Sequence, residues 1–347
     1  MRILAAPDKF RGTVSAAEVV SIIGEVATIF SVRLDKAPMA DGGEGTLEAL
    51  GGFTRSSVVT GPLGKSVTAP WRFSEGVAVI EMASASGLTL AGGASGNDPM
   101  NATTAGTGEL ISEAIHEGAH RVVVAAGGSA TTDGGLGALK VLPPASRLRS
   151  VELVVACDVR TGFLDAAEVF GPQKGASTAQ IKRLNRRLSE LAEMYLQDYG
   201  VDVTRMPRTG AAGGLAGGLA AVGAELVDGF KVVANDVDLR KRIADADIVI
   251  TGEGRFDATS LKGKVVGGVL EIASELGVPV LAIVGSADST LETSRGLTFI
   301  DLTERFGSAE AKTDVRRCIK TVVTEAFAQR CPMFCQCAVD SRRCFDD

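Results

Sequence analysis

At both ends of the chain, short apolar runs alternate with segments whose apolar residues recur every three or four positions. Residues 3–6 form an apolar run that predicts a buried strand. Apolar side chains at helical spacing then fill residues 19–30, after a capping-box pattern at Ser15 and Glu18. The same rhythm returns over residues 247–327. Strands that alternate with helices in this way indicate a parallel sheet covered by helices.

The middle of the chain has a different pattern. Residues 58–80 contain short β-like runs separated by glycine turns, and further strands are predicted at 121–126 and 151–156. A long amphipathic helix follows Ser177. Because only the two ends share one rhythm, we expect a two-domain α/β protein. An open, Rossmann- or flavodoxin-like parallel-sheet domain is built from both ends, and a mixed α/β domain is inserted between them. The predicted boundaries give residues 1–50 and 240–330 to the first domain, 51–239 to the inserted domain and 331–347 to a poorly ordered tail.

One stretch of the inserted domain is rich in small residues. Residues 213–223 combine Ala, Leu and Gly in a pattern that predicts a tightly packed helix. Glycine costs about 1 kcal/mol in a helix interior. We therefore expect another part of the backbone to approach this helix closely.

Composition and charge exclude several classes of protein. The 347 residues include 36 Lys and Arg against 42 Asp and Glu, a formal net charge of −6, and 45% of them are hydrophobic. The hydrophobic fraction excludes intrinsic disorder. The acidic balance argues against nucleic acid or a membrane surface as a partner, since both select basic proteins. No apolar run approaches the ~20 residues of a membrane helix, and no signal-peptide pattern is present, so we expect a cytoplasmic protein.

Five predicted strands are each followed by small residues and an acidic group. The carboxyl ends of parallel strands meet at the crevice where ligands bind, and glycines there let backbone N–H groups approach phosphate oxygens. Carboxylates suit such a place if they hold Mg²⁺ or accept a proton from a substrate hydroxyl, and phosphoryl transfer combines these needs. The five segments are 6–12, 41–45, 127–135, 156–158 and 252–257.

Other common signatures are missing from the sequence. There is no G-x-x-x-x-G-K-[ST] motif, and no G-x-G-x-x-G follows a predicted strand. The only histidines, His116 and His120, are predicted at a helix end and a turn, which does not favour histidine-driven acid–base chemistry. The cysteines after residue 317 fit no common zinc-site spacing. A carboxylate is therefore the natural candidate for a catalytic base.

The chain resembles the bacterial type I glycerate kinases in five motifs, which occur in the family's order. The resemblance implies a two-domain α/β fold and ATP-dependent phosphorylation of D-glycerate, with ATP and Mg²⁺ as cofactors. The motifs are A-P-D-K-F-R-G at 6–12, P-M-A-D-G-G-E-G-T at 38–46, G-G-S-A-T-T-D-G-G at 127–135, V-F-G-P-Q-K-G-A at 169–176 and T-G-E-G-R-F-D at 251–257.

The resemblance favours 2-phosphoglycerate as the product, with 3-phosphoglycerate as the alternative, in the phosphorylation of organic acids of glyoxylate and glycerate metabolism. Two other functions stay open. One is a non-catalytic, hydroxy-acid-binding regulatory module derived from a kinase, and the other is a nucleotide-dependent oxidoreductase. The acidic positions retained in the motifs favour the kinase, since a decayed site need not keep them. A homodimer is also left open.

Side-chain chemistry assigns roles within these motifs. We rank Asp8 slightly above Asp257 as the base that takes the proton of the substrate hydroxyl. Arginine suits the carboxylate of glycerate because its planar fork contacts both oxygens. Asp41 and Asp133 are the candidate Mg²⁺ ligands. The predicted catalytic residues are Asp8, Lys9, Arg255 and Asp257, and the predicted substrate- or phosphate-binding residues are Arg11, Asp41, Gly42, Gly43, Glu44, Gly127, Gly128, Ser129, Thr131, Asp133, Glu253 and Lys264.

The sequence also departs from the family pattern. Between residues 142 and 151 it lacks a stretch that the family usually carries, and Arg160 and Thr161 stand where an Asp-Asn pair is usual. The second departure puts any role of that stretch in doubt. None of the core motifs is lost.

Overall fold

The chain forms two compact units in its computed structural model. The first unit combines Met1–Met39 with the described residues from Ala234 onward, and the second is Ala40–Val233. Among the described residues, no helix has the length and apolar character needed to cross a membrane. The described residues are 1–10, 12–258, 260, 264–288 and 297–330, so Arg11 and the predicted tail 331–347 lie outside them.

Strands and helices alternate along most of the described residues. The strands are β1 (Arg2–Ala5), β2 (Arg33–Lys36), β3 (Arg55–Thr60), β4 (Ser66–Ser74), β5 (Val77–Glu81), β6 (Arg121–Ala125), β7 (Glu152–Ala156), β8 (Glu225–Val227), β9 (Ile248–Phe256), β10 (Val280–Ala287) and β11 (Leu297–Asp301). The helices are α1 (Ala16–Ile29), α2 (Thr46–Ala49), α3 (Ala83–Ser86), α4 (Gly93–Gly96), α5 (Ala105–His116), α6 (Leu136–Val141), α7 (Ala145–Leu148), α8 (Ala166–Phe170), α9 (Thr178–Tyr199), α10 (Leu215–Ala221), α11 (Gly229–Asp236), α12 (Leu239–Ala244), α13 (Val265–Leu276), α14 (Leu302–Phe306), α15 (Glu310–Thr313) and α16 (Val315–Arg330). Short 3₁₀ helices cover Pro172–Lys174, Val203–Arg205 and Ala211–Gly214.

The first unit contains an open, five-stranded parallel sheet in the order β11-β10-β9-β1-β2. Helices α1 and α16 pack on one face, against side chains such as Ile3 and Ile250. Helix α13 packs on the other face, where Val266 contacts Ala282. This is the predicted parallel sheet built from both chain ends. Its strand order reverses between β1 and β9, and the carboxyl ends of strands at such a point form a ligand crevice.

The second unit contains a mixed six-stranded sheet in the order β3-β4-β5-β6-β7-β8. The pairs β3–β4 and β4–β5 are antiparallel, and the other pairs are parallel. Helices α5, α6 and α10 cover one face, where Leu110 and Leu215 join the core around Val124. On the other face, Leu47 of α2 and Val232 of α11 share a core. The inserted part of the chain therefore has the predicted mixed α/β character.

The units divide at residues other than the predicted domain boundaries. The turn at 41–45, predicted in the first domain, belongs to the second unit. A long-range cap is the physical reason, because Glu81 Oε1 accepts hydrogen bonds from Gly45 N (2.9 Å) and Leu47 N (2.8 Å). This carboxylate ties the start of α2 to the end of β5. The unit limits fall after residues 39 and 233.

The small-residue stretch at 213–223 packs against the loop at 127–135. A Cβ on Gly213 would lie only 1.9 Å from Thr131 O. In addition, Gly134 N donates to Gly213 O at 3.1 Å. The close backbone approach expected for this stretch is confirmed, and its partner is the glycine-rich loop.

Candidate active site

Two buried carboxylates lie at the carboxyl ends of adjacent strands in the first unit. Asp8 follows β1 and Glu253 lies near the end of β9, and each residue is only 7% exposed. The backbone N–H of Asp8 donates to Gly252 O at 2.8 Å, which continues the pairing of the two strands. Lys9 N donates to Asp8 Oδ1 at 2.7 Å and orients this carboxylate. The pair occupies the point at which the strand order reverses.

Glu253 lies in surroundings that disfavour its charge. Burial raises the pKa of Glu253 from 4.5 to about 7. The charges of Asp8 and Asp257 raise this pKa as well, whereas a hydrogen bond from Ser260 and the charge of Lys264 lower it. Glu253 Oε1 is buried and has no hydrogen-bond partner among the described residues. A carboxyl group that titrates near neutral pH, with an unpartnered buried oxygen, is typical of a functional site.

The cations of this region differ in exposure. Arg255 is 68% exposed, and its guanidinium lies 3.3 Å from Asp288 Oδ1 and 3.9 Å from Asp257 Oδ2. Lys264 is half-buried and immediately precedes α13. Asp257 N donates to Ser260 Oγ at 3.0 Å, which fixes the start of this turn. The exposed guanidinium of Arg255 is able to reach an anionic ligand from solvent.

Glu253→Gln should make the protein more stable above neutral pH. The folded protein holds the Glu253 proton up to about pH 7 and the unfolded chain only up to about pH 4.5. The free energy of unfolding therefore falls as the pH rises between these values. At 1.36 kcal/mol for each pH unit, the loss is roughly 3 kcal/mol. Glutamine carries no charge, so the variant should avoid this loss.

Urea unfolding of wild type and variant at pH values from about 5 to about 8 measures this effect. Glu271→Gln, at an exposed position on α13, is the matched control and should keep the wild-type pH dependence. If Glu253→Gln and wild type lose stability equally with rising pH, Glu253 does not titrate as described.

In the second unit, the turn that carries Asp41 is held by close backbone contacts. Asp41 Oδ1 accepts a hydrogen bond from Gly43 N at 3.3 Å. A Cβ on Gly229 would lie only 2.0 Å from Asp41 O, and one on Gly127 would lie 2.6 Å from Gly43 Cα. Glycine at these positions lets the turn lie directly on the start of α11 and the end of β6. The predicted residues of this turn are Asp41, Gly42, Gly43 and Glu44, of which Glu44 is exposed.

The loop at 127–135 follows β6, and hydrogen bonds to its surroundings hold it in place. Leu88 N donates to Gly128 O at 2.8 Å. Gly128 has a φ of +71°, which strains any other residue, so substitution there would disturb the backbone as well as a ligand. Thr131 is fully buried, and its Oγ1 donates to Ala212 O at 3.4 Å. Thr131 therefore faces the interior, and its predicted contact with phosphate gains no support from its side chain.

Asp133 is surrounded by donors of the protein itself. Its Oδ2 accepts from Thr104 N (2.9 Å) and Thr104 Oγ1 (2.8 Å). Gly137 N donates to the same oxygen at 3.2 Å, and Gly135 N donates to Oδ1 at 3.1 Å. Three of these bonds go to Oδ2 and one to Oδ1, so donors of the protein hold this carboxylate in place, and the Mg²⁺ prediction for Asp133 gains no support from its surroundings. No group of three or more His, Cys, Asp or Glu side chains among the described residues could hold a metal ion, and the Mg²⁺ prediction for Asp41 gains no support.

Sequence reasoning assigned no role to Lys174, although this residue lies in the 169–176 motif. The structure buries it behind the 127–135 loop, where its Nζ donates to Ser129 Oγ at 2.8 Å and to Thr131 O at 2.7 Å. The sequence signal that could have identified Lys174 is a lysine that stands among small and apolar residues. Its burial depends on long-range packing that no local pattern contains.

The segment at 156–158 contains a buried cysteine, Cys157, followed by the exposed Asp158. Burial raises the pKa of the Cys157 thiol to about 11. Arg208 Nη1 donates to Cys157 O, and Arg208 Nη2 lies 3.1 Å from Asp228 Oδ2. A thiol that stays protonated at neutral pH is a poor nucleophile. Cys157 is therefore not a candidate nucleophile.

Comparison with known proteins gives one consistent result. The model of the glycerate kinase family matches residues 3–144 and 143–330. The two matched stretches meet at the short connection where the sequence departs from the family pattern. Together they include every candidate site residue.

Relatives and a solved structure agree with the family match. Glycerate 2-kinase of Escherichia coli K12 is 40% identical over 326 residues, which cover 82% of this chain and 85% of that protein. Glycerate kinase of Bacillus subtilis 168 is 40% identical with the same coverage. The crystal structure of a putative glycerate kinase 2 from Salmonella typhimurium LT2 superimposes with a TM-score of 0.79 at 34% identity, covering 95% of this chain and 99% of that chain.

Proposed function

Because the chain belongs to the glycerate kinase family, we propose that it transfers the γ-phosphoryl group of ATP to the C2 hydroxyl of D-glycerate, which yields 2-phosphoglycerate and ADP. The observation that carries this proposal is the pair of buried carboxylates, Asp8 and Glu253, at the point where the strand order of the first sheet reverses. Phosphoryl transfer to an alcohol needs a group that accepts the hydroxyl proton, and such a carboxylate supplies it.

The proposed reaction assigns a separate task to each group. The C2 oxygen of glycerate attacks the γ-phosphorus as the bond to the leaving ADP breaks, and the hydroxyl proton passes to Asp8. Arg255 and Lys264 bind anionic groups, and an exposed arginine suits the two oxygens of the glycerate carboxylate. Backbone N–H groups and Ser129 of the 127–135 loop bind phosphate oxygens. We place this reaction in the phosphorylation of organic acids of glyoxylate and glycerate metabolism.

Incubation of the full chain with ATP and D-glycerate tests the proposal. We expect glycerate-dependent release of ADP, and ³¹P NMR should identify 2-phosphoglycerate as the product. Reactions without glycerate and with L-glycerate are the controls. A 3-phosphoglycerate signal would move the reaction to the C3 hydroxyl. Binding of D-glycerate with no release of ADP would support a regulatory module, and NAD(P)-dependent turnover would support an oxidoreductase.

A further inference from the structure

A buried ammonium group lies directly behind the 127–135 loop. Lys174 ends the 3₁₀ helix Pro172–Lys174 and is only 3% exposed. Both acceptors of its Nζ, Ser129 Oγ and Thr131 O, belong to the loop. The same nitrogen also lies over the ring of Phe170, 5.9 Å from the ring centroid. The ammonium therefore contacts the loop and is shielded from solvent.

The backbone of Lys174 is also tied to this loop. Asn97 Nδ2 donates to Lys174 O at 2.9 Å and to Ala130 O at 3.0 Å. One side-chain amide therefore joins the lysine backbone to the residue between the two acceptors of its ammonium. Because both ends of Lys174 are connected to the loop, its position and the loop conformation depend on each other.

The direction of these hydrogen bonds determines what Ser129 can do. An ammonium group has three donors and no acceptor, so Ser129 Oγ accepts the bond from Lys174 Nζ. The hydroxyl hydrogen of Ser129 then points away from Lys174, so that Ser129 can donate it to another acceptor. Thr132, on the same loop, also has a buried Oγ1 without a partner among the described residues. The loop therefore contains hydroxyl donors within a glycine-rich segment, of the kind whose backbone N–H groups favour anions.

Burial disfavours the charged form of Lys174, so that a nearby anion would stabilise this form. Burial lowers the pKa of Lys174 from 10.5 to about 7, although the charge of Asp133 raises it. Asp133 is the carboxylate of the loop that faces this group. Among the described helices that pack most against the 3₁₀ helix, α8 carries the exposed Glu168 and α4 carries no titratable residue. A bound anion would add negative charge and favour the protonated lysine.

We propose that Lys174 is a positioning residue that holds Ser129 as a hydrogen-bond donor to an anionic oxygen of a substrate bound at the 127–135 loop. The inference rests on the proposed kinase function and deepens it. The anion is a phosphate oxygen of ATP or the carboxylate of glycerate, and the two sources are distinguished by which KM responds. Binding of this anion draws a proton onto Lys174, so that KM rises by up to about tenfold per pH unit above pH 7.

Steady-state kinetics of Lys174→Met tests the proposal. We expect the KM of the bound anion to rise about 10–100-fold, with a much smaller change in kcat and with the pH dependence of KM removed. A rise in the KM of ATP assigns the loop to nucleotide phosphate, and a rise in the KM of D-glycerate assigns it to the carboxylate. Lys182→Met, at an exposed position on α9, is the matched control and should behave as wild type.

Ser129→Ala keeps the lysine and provides a second test if Lys174→Met folds poorly. It should raise the same KM, and the double variant should be no worse than Lys174→Met alone, because both changes remove one interaction. Unchanged KM values with only a lower melting temperature would overturn the proposal and leave Lys174 with a structural function.

Calorimetry separates this inference from the proposed function. Titration of the wild-type protein with ATP, and separately with D-glycerate, in two buffers of different ionisation enthalpy at about pH 8 should reveal proton uptake that is absent in Lys174→Met. Proton uptake equal in both proteins overturns the inference even if the enzyme is active. A wild-type protein that releases no ADP in the presence of glycerate contradicts the kinase function, whatever the titrations show.

Discussion

Asp8→Asn should lower kcat by about 10²–10⁴-fold and leave both KM values within a few-fold of wild type. Asparagine has nearly the same shape as aspartate, and its Oδ1 still accepts the hydrogen bond from Lys9 N. The amide has no carboxylate to take the proton of the attacking hydroxyl. The variant should therefore fold and bind both substrates, and lose the proton transfer. Glycerate-dependent release of ADP at saturating substrate measures kcat directly.

The exposed Asp198 on α9 provides the matched control, and Asp198→Asn should retain wild-type kcat. Thermal unfolding of both variants separates loss of chemistry from loss of fold. A kcat for Asp8→Asn within about threefold of wild type would assign the base elsewhere. Asp257→Asn would then be the next variant, since Asp257 is the second predicted base and also influences the pKa of Glu253.

Gly229→Ala should lower kcat/KM by about 10²-fold through displacement of the Asp41 turn. The added Cβ would lie 2.0 Å from Asp41 O and 2.5 Å from Gly42 Cα. Both neighbours are backbone atoms, so the turn itself has to move. Overpacking of this kind costs about 1–3 kcal/mol. We expect a lower melting temperature together with the kinetic defect.

Gly24→Ala is the control for the Gly229 variant. Gly24 lies within α1, and the nearest atoms to an added Cβ are 3.6 Å away on the side chains of Leu34 and Lys36. Alanine should therefore be accommodated there and stabilise the helix by about 0.5–1 kcal/mol. Wild-type kinetics for Gly229→Ala would show that the position of the Asp41 turn does not matter for the reaction.

Local patterns were sufficient to predict most of the secondary structure. The capping box at Ser15 forms as predicted, because its hydrogen bonds join residues three positions apart, and the long helix predicted after Ser177 begins at Thr178 with Ser177 as its N-cap. The apolar runs at both chain ends form the parallel sheet of the first unit, since a buried strand needs apolar side chains on both faces. The segments at 6–12, 127–135 and 156–158 begin at strand ends as predicted, whereas β9 continues through Phe256, so residues 252–256 are part of that strand and only Asp257 follows it. Sequence alone therefore determined the α/β class and the segments that carry candidate residues.

Only the tertiary structure decided which of these residues are buried and what they contact. Lys174 reaches Ser129 across 45 positions of sequence, and Glu81 caps α2 from 34 positions beyond Leu47. Asp133, a candidate metal ligand by sequence, accepts hydrogen bonds from backbone N–H groups at the starts of α5 and α6. The raised pKa of Glu253 follows mainly from burial. A local pattern cannot contain such properties, because packing of distant segments determines both the partners of a polar group and the water removed from around its charge.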